Sequence, residues 1–204
     1  MKILFIEAKS KSKVNPNKIL EISKKLPKNL AIVYSIQFKD IAQDIKKILL
    51  KNHKITLITQ VLGCSKPIFP KTTQAVLLIG SGRFHGISLA YTTNLPIYIL
   101  DRNNLSKITR EEVEKLQKKQ KSAYLKFLNA NKIGILISTK PGQNRIKKAL
   151  DLRKQLNKKS YLFLANNINT AEFENFNIDS WVNTACPRLD MDNPSIINIG
   201  SIKL

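Results

Sequence analysis

Five consecutive apolar residues, Ala75-Val76-Leu77-Leu78-Ile79, run directly into the glycine-containing turn Gly80-Ser81-Gly82. A short, wholly apolar segment that ends at such a turn is typical of a strand buried on both faces of a parallel sheet. Further strand patterns lie at residues 3–6, 31–36, 55–58 and 97–100, and residues 40–51 have the apolar stripe of an amphipathic helix. Apolar strands alternating with helices predict an α/β fold.

The second half of the chain repeats this pattern. Strands are expected at residues 133–137, 161–164, 180–183 and 196–199, with a basic amphipathic helix ending near residue 157. A long helix between the halves begins at a capping box, Thr109-Arg110-Glu111-Glu112. We therefore predict two similar domains, residues 1–105 and 131–204, joined by a connecting helix over residues 106–130. Each domain is expected to hold a roughly four-stranded, mostly parallel sheet flanked by helices.

The chain is strongly basic, with a formal net charge of +21 and a pI of about 10.1. Such a charge attracts acidic partners, whether nucleic acid, anionic membrane or an acidic protein surface. The lysines are spread along helices rather than gathered in one block, so a solvated basic surface explains them equally well. No apolar run approaches the about 20 residues of a membrane span, and the apolar N-terminal run is too short for a signal peptide. We expect a cytoplasmic protein with reduced thiols and no membrane partner.

The only two cysteines, Cys64 and Cys186, occupy similar positions. Each follows a predicted strand and stands close to a proline and to a basic side chain, Lys66 or Arg188. Nearby positive charge favours the thiolate, which is the form that binds metals or attacks electrophiles. Loops at the carboxyl ends of parallel strands lie on one edge of a sheet, so both cysteine loops and both glycine-containing loops are candidates for one site.

Several interpretations of these loops remain open from the residues alone. Each cysteine is compatible with an ordinary small buried residue without a role. A zinc site would need His53 and His85 as well, and the short spacings usual for zinc ligands are missing. The Gly80-Ser81-Gly82 turn offers backbone N–H groups to an anion, but His85 stands where a dinucleotide-binding fingerprint has its third glycine.

Four stretches, in this order along the chain, carry a resemblance to a known family. They are Gln60-Val61-Leu62-Gly63-Cys64, Ile79-Gly80-Ser81-Gly82-Arg83-Phe84-His85, Ser138-Thr139-Lys140-Pro141-Gly142-Gln143 and Trp181-Val182-Asn183-Thr184-Ala185-Cys186-Pro187-Arg188. Together they resemble the archaeal diphthamide synthase family, and they match its second and third domains.

The resemblance implies an activity and a set of cofactors. In that family, three similar α/β domains each give one cysteine to a 4Fe-4S cluster, and the open iron binds S-adenosylmethionine as a substrate. Reductive cleavage gives a 3-amino-3-carboxypropyl radical, which adds to a histidine of elongation factor 2 in the first step of diphthamide biosynthesis. The protein is thus expected to be an iron–sulfur transferase that also needs an electron donor.

The resemblance also assigns site residues. Cys64 and Cys186 match the second and third cluster ligands. We hypothesise that Arg188 and Gln143 hold the carboxylate of S-adenosylmethionine. The other expected members of that binding site are Gly80, Ser81, Gly82, His85, Thr139 and Lys140.

The sequence departs from the family in two respects. The first domain and its cysteine have no counterpart here, so a complementary chain that carries them is the expected partner. Phe38 follows Gln37 where the family commonly has a histidine. Two other functions remain open: a basic, non-catalytic module that binds RNA or a translation factor, with nucleic acid as a secondary partner, and a degenerate paralogue that supports an active chain.

Overall fold

The parallel strands expected from the apolar segments are present in the computed structural model, which describes residues 8–62 and 65–202. The strand predicted at residues 3–6 and the cysteine at position 64 lie outside the described residues. The chain divides into two units, Met1–Val113 and Glu114–Leu204, here called unit 1 and unit 2. Helix α4, Arg110–Asn129, runs through the division.

Unit 1 holds a five-stranded sheet with helices on both faces. Its elements are α1 (Pro16–Ser23), β1 (Asn29–Tyr34), α2 (Lys39–Leu49), β2 (Lys54–Gln60), β3 (Ala75–Ile79), α3 (Arg83–Thr93), β4 (Ile97–Asp101) and β5 (Asn104–Lys107). The strand order is β2-β1-β3-β4-β5, and only the β4–β5 pair is antiparallel. The described part of the sheet therefore includes an antiparallel edge strand, β5, that the apolar patterns did not predict.

The central strands of unit 1 are buried on both faces, as their unbroken apolar sequences predict. Leu30 and Ile32 of β1 pack in one core with Ile45 of α2, while Val33 packs in a second core with Leu89 of α3. Neighbouring side chains along a strand point to opposite faces, so one short apolar segment contributes to two cores.

Unit 2 holds a four-stranded, wholly parallel sheet. Its elements after α4 are β6 (Lys132–Ser138), α5 (Ile146–Gln155), β7 (Lys159–Ala165), a 3-10 helix (Thr170–Asn175), β8 (Ser180–Asn183), α6 (Arg188–Asp192) and β9 (Ile196–Asn198). The strand order is β7-β6-β8-β9. The carboxyl ends of all its strands therefore lie on one edge of the sheet, which is where the Cys186 and Lys140 loops begin.

Both ends of α4 have identifiable partners for their free backbone groups. At its start, the N–H of Thr109 donates to Glu112 Oε2 at 2.8 Å, and the N–H of Glu112 donates to Thr109 Oγ1 at 3.3 Å. This is the capping box that the sequence predicted. At its end, Lys158 Nζ donates to the carbonyl oxygens of Phe127, Leu128 and Ala130, at 3.1, 2.5 and 2.9 Å. The positive charge of Lys158 also interacts favourably with the negative end of the helix dipole.

Gly134 of β6 makes room for the chain's only tryptophan. Trp181 of β8 is directly paired with Gly134 in the sheet, and a Cβ added at Gly134 would lie 2.4 Å from the indole ring. The indole stacks on Phe173 with ring centroids 4.1 Å apart, and Phe163 and Phe176 contact its edges or face at 4.7 and 6.1 Å. This aromatic cluster covers one face of the unit 2 sheet, and α4 and α5 cover the other.

The described helices include none long and apolar enough to cross a membrane.

Candidate functional site

Cys186 is carried by a turn, residues 184–187, that leads from the end of β8 into α6. Thr184, fully buried, ties the start of this turn to β6, because its N–H and its Oγ1 both donate to the carbonyl oxygen of Leu136, at 3.1 and 2.7 Å. Cys186 has a free, half-buried thiol. The cysteine turn is thus anchored to the neighbouring strand of the sheet.

The side chain of Asn183 fixes the rest of the turn. It is fully buried, and its Oδ1 accepts from the N–H of Ala185 at 2.7 Å. Its Nδ2 donates to the carbonyl oxygen of Cys186 at 2.8 Å and to Asp190 Oδ1 at 2.7 Å. Both N–H donors of the amide are therefore used, one by the turn and one by the helix that follows it.

Asp190 of α6 is a buried carboxyl beneath the turn, with only 7% of its surface exposed. Burial raises the pKa of Asp190 to about 6, although hydrogen bonds from Asn183 and Asn198 act in the opposite direction. Desolvation penalises the charged form of an acid, which is the physical reason for the rise.

The loop after β6, residues 139–144, lies at the same sheet edge. Ser138 is buried; its Oγ accepts from the N–H of Lys140 at 3.2 Å and donates to the carbonyl of Asn166 at 3.3 Å. The N–H of Thr139 donates to the carbonyl of Ala165, and that of Gln143 donates to the carbonyl of Lys140, both at 3.0 Å. These bonds hold the Lys140 loop beside the end of β7.

A pocket of about 390 Å³ lies between the two loops. Its lining residues are Ser138, Lys140, Gln143, Asn166, Asn167, Ile168, Cys186, Arg188 and Leu189. Two are cations, none of these described residues is acidic, and Ile168 and Leu189 add an apolar side. The pocket is suited to an anionic ligand that also has an apolar part.

The structure brings together four of the residues expected at the site: Lys140, Gln143, Cys186 and Arg188. Thr139 lies in the same loop but is not among the lining residues. Asn166 and Asn167, which sequence reasoning missed, directly follow β7. The position of a polar residue just after a strand was the available signal, since the same rule selected the Lys140 loop.

The predicted loop Gly80-Ser81-Gly82 follows β3 in unit 1. Gly80 has a φ of 149° and Gly82 a φ of 95°, and a Cβ at Gly80 would lie 3.3 Å from the ring of Phe38. The phenylalanine therefore packs where the loop leaves the strand. His85 lies in the first turn of α3, where its ring meets that of Phe84 edge-on at 5.2 Å between centroids. The assignment of Gly80, Ser81, Gly82 and His85 to the site of Cys186 stays a prediction.

Arg83, which follows this loop, is held by an ion pair. Its Nε and Nη2 donate to the two carboxylate oxygens of Glu112 at 2.5 and 2.6 Å, and Nη2 also donates to the carbonyl of Lys107 at 3.1 Å. The hydrogen bond from Arg83 lowers the pKa of Glu112 to about 2. Arg83 therefore stabilises the junction of α3, β5 and α4.

Residues 8–62 and 65–202 contain no cluster of three or more histidine, cysteine or acidic side chains that could hold a metal ion. His53, a ligand in the zinc alternative, has its Nδ1 2.9 Å from the carbonyl oxygen of Pro27. Cys64, another ligand in that alternative, lies outside the described residues, so the zinc alternative stays open.

Comparison with known proteins identifies the family. The model of the diphthamide synthesis protein family matches residues 1–196. The chain belongs to this family. The resemblance found in the four sequence stretches is therefore confirmed.

Curated relatives of this chain carry the name 2-(3-amino-3-carboxypropyl)histidine synthase. The protein of that name from Methanocaldococcus jannaschii is 33% identical over 175 residues, which are 81% of this chain and 47% of the relative. The protein from Pyrococcus horikoshii is 30% identical over 137 residues, 66% of this chain and 40% of the relative. Subunit 1 from Yarrowia lipolytica is 30% identical over 180 residues, 80% of this chain and 41% of the relative. The chain thus matches less than half the length of each.

Solved structures share the fold. Dph2 from Pyrococcus horikoshii superimposes with a TM-score of 0.77 at 24% identity, over 93% of this chain and 61% of the other. A structure of the same protein with a 4Fe-4S cluster gives a TM-score of 0.75 at 24% identity, over 91% of this chain and 60% of the other. The predicted α/β class, with parallel-rich sheets flanked by helices, is confirmed.

Proposed function

We propose that this chain forms part of a 2-(3-amino-3-carboxypropyl)histidine synthase. Such an enzyme transfers the 3-amino-3-carboxypropyl group of S-adenosylmethionine to a histidine of elongation factor 2, the first step of diphthamide biosynthesis. The observation that carries the proposal is that Cys186 shares one pocket with Lys140, Gln143 and Arg188. The names of the relatives, and the 4Fe-4S cluster in the structure of Dph2, support it.

The surroundings of Cys186 suit it to act as a cluster ligand. Its thiol is free and half-buried, and its turn is fixed by hydrogen bonds to β6 and to Asn183. Lys140 and Arg188 bring two positive charges to the pocket lining, and no acid is among the described lining residues, so the pocket suits a group of negative charge. When bound, a 4Fe-4S cluster would supply the electron that cleaves a carbon–sulfur bond of the substrate.

The other polar lining residues suit the amino acid end of S-adenosylmethionine. The guanidinium of Arg188 presents paired donors that match a carboxylate. The Gln143 amide offers a further donor, and Lys140 adds a positive charge. Ile168 and Leu189 give the methylene groups of the substrate an apolar surface.

The two cysteines of this sequence are too few for a cluster held by three cysteine ligands. We propose that Cys64 is the second ligand and that the third comes from outside these residues, on a complementary chain. Elongation factor 2 as protein substrate, an electron donor and a cytoplasmic location complete the proposal.

Anaerobic reconstitution with iron and sulfide tests the cluster assignment. The chain is mixed with a candidate complementary chain, and the thiolate-to-iron charge-transfer absorbance and bound iron are measured. We expect Cys186→Ala to lose the cluster and Arg153→Gln, an exposed change on α5, to keep it. Full cluster content in Cys186→Ala would refute the assignment.

Calorimetric titration of the reconstituted complex with S-adenosylmethionine tests the carboxylate site. Arg188→Gln should weaken binding about 10- to 100-fold, the effect of losing a charge-assisted hydrogen bond. Arg153→Gln is the matched control, because it removes the same charge from outside the pocket. Equal affinities in the two variants would contradict a role for Arg188.

The net charge of +21 supports a second candidate, a basic module that binds RNA. In that case RNA binding would weaken steeply with salt and survive in Cys186→Ala, and no cluster would form with any complementary chain.

A further inference from the structure

We infer that Asn183 is a positioning residue for Cys186: its buried side chain holds the peptide groups on either side of the Ala185–Cys186 pair and so sets the direction of the Cα–Cβ bond that carries the thiol. The inference rests on the proposed function in one respect, because it gives Cys186 the role of a cluster ligand. The orientation of Cys186 itself follows from hydrogen bonds within unit 2.

The bonds of Asn183 are placed on both sides of the cysteine. The N–H of Ala185 belongs to the peptide group before Ala185, and the carbonyl of Cys186 belongs to the peptide group after Cys186. One amide binds both, at 2.7 and 2.8 Å. The backbone dihedral angles of these two residues are thereby restrained from a single point, since only those angles lie between the two held groups.

Asp190 fixes which way the amide faces. The carboxyl of Asp190 and the carbonyl of Cys186 are both acceptors, and both lie within 2.7–2.8 Å of Asn183 Nδ2. A flipped amide would place its oxygen against two acceptors and its nitrogen against the N–H of Ala185, so only one orientation is satisfied. Asp190 also accepts from Asn198, which directly precedes a 3-10 turn at Ile199–Ser201.

A turn built only for stability has no need of this arrangement. Burying a carboxyl costs free energy, and a well-packed apolar pair often serves stability equally well. Here Asn183 and Asp190 are hydrogen-bonded to each other, and Asn183 also bonds the segment that carries Cys186. This segment lies next to a pocket with two cations. The arrangement suits the precise placement of a ligand or reactive thiol.

Two kinds of variant separate positioning from folding. Asn183→Ala removes all three bonds. In the double variant Asn183→Asp/Asp190→Asn, the two side chains can again bond each other, and the carboxylate at position 183 still accepts from Ala185. That carboxylate cannot donate to the carbonyl of Cys186, so this bond is the one selectively lost.

The first readout is the rate at which iodoacetamide alkylates Cys186, followed by mass spectrometry. The 204-residue chain carries Cys64→Ala, which leaves Cys186 as its single thiol. We expect both Asn183 variants to react about fivefold faster or more, the population shift that loss of one hydrogen bond allows. Leu152→Ala, a core change in α5, is the control for lost stability and should react at the parent rate under native conditions.

The second readout is cluster content and its electron paramagnetic resonance spectrum in the complex, with Cys64 intact. We expect the double variant to hold less cluster, or to give a shifted spectrum, while Leu152→Ala matches the wild type. A double variant that equals the wild type in both readouts overturns the positioning role and leaves the proposed function standing. Faster alkylation without a cluster in any variant, wild type included, supports the positioning and overturns the proposed function.

Discussion

Replacing Gly134 by alanine should destabilise unit 2 through a clash with Trp181. The added methyl carbon would lie 2.4 Å from the indole, whereas ordinary contact begins at 3.4 Å, so the ring must retreat by about 1 Å. The stacked ring of Phe173 and the direct pairing of β6 with β8 restrict that movement. Overpacking of this kind costs about 1–3 kcal/mol.

Urea titration followed by tryptophan fluorescence measures this cost. Trp181 is the only tryptophan of the chain and is buried in unit 2, so its emission reports the unfolding of that unit. We expect Gly134→Ala to lower the urea concentration at the midpoint. The slope of free energy against urea should not change, because it depends on the surface that unfolding exposes, which the substitution leaves the same.

Gly200→Ala is the matched control. The nearest atom to its added Cβ is Asn198 Oδ1 at 3.3 Å, and no backbone atom stands closer. Its free energy of unfolding should change by less than about 0.5 kcal/mol, the usual range for surface changes. An unchanged midpoint for Gly134→Ala would refute the clash, and a second variant, Gly134→Ala/Phe173→Leu, should recover part of the loss by giving the indole room.

Two further predictions concern charged groups of unit 2. Folding raises the pKa of Asp190 from 3.8 to about 6. The folded state therefore binds this proton more tightly than the unfolded state does, and the resulting stabilisation is complete below pH 3.8 and is lost as pH rises through 6. Across this window the free energy of unfolding should fall by about 3 kcal/mol. Asp190→Asn should lack this part of the pH dependence in urea titrations between about pH 4 and 8; identical pH profiles would contradict the assignment. Lys158→Met should cost about 1–2 kcal/mol, because it removes the charge and the donors at the end of α4, while the exposed Lys159→Met should cost little; equal effects would exclude the capping role.

Local sequence determined the buried strands closely. The bounds of β3 and β8 agree with the segments at 75–79 and 180–183, because each is apolar or buried throughout and ends at a turn. The start of α1 likewise follows from Asn15, whose side chain accepts from the N–H groups of Asn17 and Lys18, with Pro16 at the first helical position. Such signals act within a few residues, so no tertiary context is needed to use them.

Elements that depend on distant partners were not predicted. Strand β5, Asn104–Lys107, has one apolar residue and forms only by pairing with β4 across a tight turn, in which Arg102 has a φ of 55°. The helix α6 has only five residues and is held through its own Asp190, whose carboxylate accepts from Asn183. Propensity is too weak in four or five residues to specify such elements without tertiary contacts.

The candidate site divides in the same way. The rule that sites form at the carboxyl ends of parallel strands selected Cys186, Arg188 and the Lys140 loop from the sequence. The rule needs only the order of strands and loops, which the sequence pattern predicts. Only the tertiary structure decided that these loops share a pocket with Asn166, and that Asn183 and Asp190 meet beneath the cysteine turn. Hydrogen bonds between buried polar groups depend on angstrom-scale distances, and packing of the whole sheet sets those distances.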